Sequence, residues 1–310
     1  MTSSSYAAST DVPNIVVSIK PLHSLVAYLM QGIGEPKLIM DTGATPHSFS
    51  LQPSKAKDLQ DADMVIWIGP GLETFLSKPI ETIGGKAQSV IAMEFENMRL
   101  LEYRTDENFS DHHHENGDED AANVEHDSNH KHEHDENSNK DPHIWLSTQN
   151  MEIMASRIAG ELKGLMNEDR GRITANLESF ILENTALEND IKSKLAGVTK
   201  TSFLVMHDGF QYFEDEFGLT NRGTLLENPA AQPSAGRVAK LREKLEENDI
   251  QCVLSEPQFN SRIIETVISD NNIKTAEVDP IGMQVENGPE LYFQLMRKMT
   301  DAFVTCLSRL

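Results

Sequence analysis

Eight short strand-like runs set the terms on which this chain can fold. Four come early: Asn14 to Ser18 (NIVVS), Lys37 to Met40 (KLIM), Met64 to Ile68 (MVIWI) and Ser89 to Ala92 (SVIA). Four come late: Ser202 to Val205 (SFLV), Gly223 to Leu226 (GTLL), Cys252 to Ser255 (CVLS) and Thr275 to Val278 (TAEV). Helix-like stretches separate them, among them Leu22 to Met30, Pro53 to Leu59 with Ser50 as a candidate cap, Ser234 to Asn248 and Ser261 to Asp270. Strands alternating with helices predict a parallel sheet covered on both faces. At 310 residues the chain exceeds what one core usually supports. The expected fold is therefore α/β, with two similar lobes, each a four-stranded, mostly parallel sheet flanked by helices.

Between the two sets runs Asp111 to Glu136, DHHHENGDEDAANVEHDSNHKHEHDE, which holds seven of the eleven histidines and almost nothing apolar to bury. A segment of this composition is expected to stay disordered. Histidine is the commonest metal ligand among side chains. The strap therefore reads as an auxiliary metal collector drawing on His112, His113, His114, His126, His130, His132 and His134, or, blandly, as a solvated charge run. The stretch from Asp106 to Asp141 carries thirteen acids against two lysines, so it accounts for about half of the net charge of -22. The rest of the chain is only moderately acidic, which argues against nucleic acid, whose phosphates demand clustered Lys and Arg. A cationic ligand suits the charge better than an anionic one.

From Asp169 to Leu195 the sequence is free of proline and places apolar residues at Ile173, Leu177, Ile181, Leu187 and Ile191. One helix of about 27 residues, some 40 Å long, is the natural reading. It would join an N-terminal α/β lobe (14–168, with the disordered loop at about 106–141) to a C-terminal lobe (198–310), the linking helix itself taking 169–197. The two cysteines, Cys252 and Cys306, are either a bridge that staples the terminal helix or two buried free thiols. No stretch reaches the roughly 18 apolar residues that a membrane span needs. The N-terminus, MTSSSYAASTDVPN, has no basic n-region and no apolar core. The expectation is a cytosolic protein or a mature exported domain whose leader has been removed, and a bridged cysteine pair favours the second.

Three isolated histidines fall where an open α/β sheet receives its ligands, outside the carboxyl ends of strands. His47, in DTGATPHSFS, follows the strand ending at Met40, and His207, in FLVMHDGF, comes directly after a strand. His143, in DPHIWLS, stands just ahead of a helix capped by Ser147 or Thr148. Asp279, in AEVDPIG, lies at a fourth strand end, and two facing lobes would bring the four groups to one cleft. Zinc takes nitrogen, sulfur or carboxylate oxygen in a tetrahedral shell, which three histidines and one aspartate or water satisfy. Manganese and iron prefer more oxygen. His23, in PLHSL at a helix start, is read as an ordinary hydrogen-bonding surface histidine.

The strings PHSFSLQPSKAKDLQDADMVIWIGPGLETFL, DPHIWLS, FLVMHDGFQYFEDEFGL and EVDPIG, with a histidine-rich acidic insert between the first two, resemble the ZnuA family. These are the periplasmic zinc-binding proteins of bacterial zinc ABC importers, within the metal-specific group of solute-binding proteins. The likeness runs from about Ile15 to Cys306. It implies two α/β lobes bridged by a rigid helix, with Zn2+ as transported ligand held by His47, His143 and His207 and with Asp279 near the fourth position. Pro46 stands where some zinc-binding members carry an acidic residue, which leaves Asp279 or water as the fourth ligand. The resemblance further implies a Cys252–Cys306 disulfide, a periplasmic location, a monomer, and as partners a membrane permease with its cytoplasmic ATPase. The rival expectations are a zinc-dependent hydrolase, which has no HExxH or GxSxG motif to support it, and a cytosolic zinc buffer.

Overall fold

The structure, a computed structural model, describes residues 12–41, 45–104, 109, 139–226, 233–247, 250–268 and 273–308. The seven strap histidines lie outside the described residues, so the expectations for the strap are neither met nor contradicted here. The chain forms two compact units. One takes in Met1–Met98, Trp145–Ile191 and Ile281–Lys298, and the other Arg99–Ile144, Lys192–Pro280 and Met299–Leu310.

The first unit alternates β1 (Ile15–Val17), α1 (Lys20–Leu29), β2 (Lys37–Leu38), α2 (Pro53–Gln60), β3 (Met64–Trp67), α3 (Ser77–Thr82) and β4 (Gln88–Ile91). It then adds α4 (Thr148–Leu165) and most of α5 (Arg170–Leu195). Its sheet has the order β2-β1-β3-β4, every pair parallel. The central strands β1 and β3 are buried at every position, as a strand covered on both faces must be. The second unit repeats the plan with β5 (Ser202–Val205), α6 (Gln211–Phe217), β6 (Thr220–Thr224), α7 (Ala235–Glu247), β7 (Ile250–Ser255), α8 (Arg262–Ile268) and β8 (Lys274–Glu277). Its order, β6-β5-β7-β8, is again parallel throughout. Helix α9 (Leu291–Leu307) ends the described chain, and the expected pair of parallel α/β sheets is what the chain adopts.

Both sheets change winding direction beside their first strand, between β1 and β3 and between β5 and β7. Such a switch point opens a crevice at the carboxyl ends of the strands. In the first unit the crevice is knitted shut. Ser18, just past β1, donates its hydroxyl to Glu73 Oε1 at 2.5 Å, while the amides of Ile68 and Gly69, just past β3, donate to the same carboxylate. Burial pushes the Glu73 carboxyl up to about 7, against the lowering effect of those hydrogen bonds. In the second unit the corresponding residues are His207, just past β5, and Glu256, just past β7.

Three local expectations need correction. The strand expected at 223–226 is β6 at Thr220–Thr224, an edge strand whose half-exposed start is too polar to read as a strand. Leu225 and Leu226 follow it, still bonded to Val205 and Met206. Helix α2 is preceded by Gln52 and opened by Pro53, which has no amide to satisfy, so Ser50 does not cap it. The buried face of α5 runs through Ile173, Phe180, Asn184, Leu187, Ile191 and Leu195, whereas Leu177 and Ile181 are only half-buried. Cys252 and Cys306 form a disulfide with their Cα atoms 5.6 Å apart, which pins the end of α9 to the centre of β7 and rules out the free-thiol reading. Among the described residues no helix is long and apolar enough to cross a membrane.

Candidate metal centre

His207 sits at the switch point of the second unit because β5 ends at Val205 and the chain turns sharply within HDG, the Gly209 amide bonding back to the His207 carbonyl at 2.9 Å. Its ring is 4% exposed and lies against Phe259 and Phe210, at centroid distances of 5.2 and 6.1 Å. Nδ1 donates to Glu256 Oε1 at 2.7 Å, and the same carboxylate accepts the His207 amide. Burial works against charge on this ring, but the charge and hydrogen bond of Glu256 outweigh it and raise its pKa. Burial raises the Glu256 carboxyl too, against the pull of His207. In the neutral ring the hydrogen bond to Glu256 keeps the proton on Nδ1, which leaves the Nε2 lone pair for a ligand.

His143 repeats the device. Asp141, two residues earlier in DPH, accepts both the His143 amide at 2.9 Å and its Nδ1 at 2.7 Å. Asp141 is itself tied down, since its carbonyl accepts the Tyr212 hydroxyl at 2.7 Å while its amide donates to Leu101. Tyr212 OH also accepts the Leu101 amide, so one buried phenol fastens two strands of chain beside the histidine.

The two rings come together, with centroids 5.3 Å apart and ligand nitrogens within 4.8 Å of one another. Gly209 shows where they point. A Cβ built there would lie 2.5 Å from His207 Nε2 and 3.3 Å from His143 Nε2, so the missing side chain leaves space that both nitrogens face. Paired imidazoles with Nδ1 fixed on a carboxylate and Nε2 turned to a common space are suited to a borderline-soft divalent cation.

In the first unit, His47 lies half-buried in a short 3-10 turn, Pro46–Ser48, whose leading residue Thr45 accepts the His47 amide at 3.4 Å. Lys55 steadies the loop after β2 by bonding the Leu38 carbonyl and pairing with Asp41. His23 is not the surface histidine expected of it, because α1 turns its ring inward against the Pro36 carbonyl. It is buried, its Nε2 is 2.9 Å from the Pro36 carbonyl, and desolvation lowers its pKa. In the second unit, Asp279 follows β8 half-buried and close enough to Glu256 to act on its charge. Sequence reasoning missed Asp141, Glu256 and Gly209. The strand-end rule that singled out His207 and Asp279 points equally to Glu256, in SEPQF after β7, and Asp141 stands inside the DPH string itself.

Comparison with known proteins follows the same line. A profile of the family described as "ZnuA: Zinc-uptake complex component A periplasmic" matches residues 15–306. A relative from Brucella suis biovar 1 (strain 1330), "High-affinity zinc uptake system protein ZnuA", is 35% identical over 309 residues, covering 95% of this chain and 92% of its own. Among solved structures, "Crystal structure of ZnuA" superposes with a TM-score of 0.78 at 21% identity, over 96% of this chain and 100% of that one. "Structure of the SBP FpvC from pseudomonas aeruginosa in complex with Mn2+" superposes with a TM-score of 0.76 at 19% identity, over 95% of this chain and 98% of that one.

Proposed function

The chain belongs to the family of periplasmic zinc-uptake components, and on that premise we propose that it captures Zn2+ in the periplasm and hands it to an ABC-type importer. Its work is binding and delivery, with no bond made or broken beyond metal coordination. The observation that supports this most directly is the pair His143 and His207, each with Nδ1 on a buried carboxylate and Nε2 toward the space beside Gly209.

We assign His143 and His207 as two of the zinc ligands, His47 as the third and Asp279 or a water as the fourth. A nitrogen-dominated set of this kind favours zinc over manganese, whose shell calls for more oxygen. Asp141 and Glu256 orient the ligand rings, each through a single carboxylate oxygen. The protein works as a monomer, and its partners are a membrane permease and the ATPase that drives it.

The test is direct titration with Zn2+ at about pH 7.5 and about pH 5.5, on either side of the unperturbed imidazole value. Ligation requires neutral imidazole, so affinity falls steeply at the lower pH as protons displace the metal. Unchanged affinity refutes imidazole ligation. Loss of tight binding in His143→Ala and His207→Ala, with the fold intact by circular dichroism, assigns the ligands.

A further inference from the structure

Beside the histidine pair stands a third acidic residue that the zinc reading leaves without a task. Asp208 follows His207 directly, its side chain is 2% exposed, and its carboxylate lies close enough to His143, His207 and Asp141 to exchange charge effects with all three. A buried carboxylate next in the chain to His207 is a candidate extra ligand, yet a single guanidinium takes up both of its oxygens. Arg104 Nε donates to Oδ2 at 3.0 Å and Nη2 donates to Oδ1. The remaining nitrogen, Nη1, donates to Glu214 Oε2 at 2.7 Å, and Glu214 also accepts from Asn221. The Phe109 ring lies 3.9 Å from the guanidinium carbon, so one face of the arginine is covered. A two-pronged arginine grip fixes the plane of a carboxylate as well as its charge, which lysine cannot do.

Resting on the zinc reading, we propose that Arg104 determines metal specificity by holding Asp208 out of the coordination shell formed around His143 and His207. With Asp208 restrained, the shell stays rich in nitrogen and low in coordination number, as zinc prefers. With Asp208 released, an added oxygen raises both oxygen content and coordination number, toward the demands of manganese. Arg104 is a positioning residue here, acting on the metal only through the aspartate.

The experiment compares Zn2+ and Mn2+ affinities, by competition with a chromophoric chelator, in the full chain and its variants. In Arg104→Gln the ratio of manganese to zinc affinity rises about tenfold, the scale typical of disturbed outer-shell partners. X-ray absorption at the zinc edge gains an oxygen neighbour in the same variant. The double variant Arg104→Gln/Asp208→Asn returns the ratio to its starting value, a rescue that mere loosening of the fold does not produce. Arg104→Lys keeps a cation between the acids without the paired grip, so it shifts the ratio in the same direction and carries the test if Arg104→Gln does not fold. An unchanged ratio in the folded variant, or a shift that survives Asp208→Asn, overturns the proposal. Failure of the unaltered chain to bind zinc at all sinks the underlying reading, which the unaltered control detects separately.

Discussion

Gly209 owes its place to what it lacks. A methyl group there intrudes to 2.5 Å from His207 Nε2, so one ring or the turn itself has to move. Gly209→Ala is expected to weaken zinc binding on the order of tenfold to a hundredfold, as disturbances next to a metal shell do, with little change in melting temperature. Isothermal titration beside thermal unfolding checks both halves. Glu73 makes a different prediction. Its carboxyl titrates near 7 in the folded chain against an ordinary value of 4.5. Between those values the unfolded chain has released a proton that the folded chain still holds, so stability falls as pH rises through the window and levels off above it. The loss is on the order of 3 kcal/mol. Glu73→Gln has no proton to release, so subtracting its urea stability curve from that of the unaltered chain should expose the fall between about pH 4.5 and 7, the window its shift defines. Parallel curves count against it. Of the carboxylates behind the rings, Asp141 lay in plain view two residues before His143, whereas Glu256 meets His207 across 49 positions of sequence, a contact that exists only once β5 and β7 pair.

The elements were more legible than their details. Central strands announce themselves because burial on both faces demands unbroken apolar runs, as in MVIW of β3 and SFLV of β5. The edge strand β6 was placed less well than the others, and its polar start shows why. In α5 the length was readable from the absence of proline, but a count by fours missed the seam through Phe180 and Asn184. Asn184 is polar, and its burial is intelligible only from its bond to the Thr148 carbonyl at 2.8 Å. The disulfide acts at this scale as well. It closes a loop with a sequence separation of 54, worth about 4 kcal/mol in the chain-entropy account. Reduction should lower the melting temperature and loosen the end of α9, while zinc affinity changes little because the bridge joins α9 to the centre of β7 and not to the strand ends that carry His207 and Glu256. Hydrogen exchange across 299–308, with and without reductant, is the measurement, and equal protection in both states would count against the assignment.

For the molecule as a whole, we propose that the acidic strap and the ordered site divide the labour of handling zinc. The strap histidines, tethered to the same chain, are proposed to raise the local supply of metal without forming part of the tight site. Deleting Asp111 to Glu136 is expected to leave one tight equivalent and remove the weaker ones, as counted by equilibrium dialysis. A deletion that abolishes the tight equivalent would overturn this division. The paired carboxylates behind His143 and His207 carry one more consequence. Rings whose protons and tilt are already settled have little to rearrange when an ion arrives, so loading approaches the pace of diffusion and the tightness of the grip resides in slow escape. Cargo held in that way does not leave by waiting. Under the proposed role, discharge would have to be forced by whatever the protein docks against, and unloading, not capture, would govern throughput.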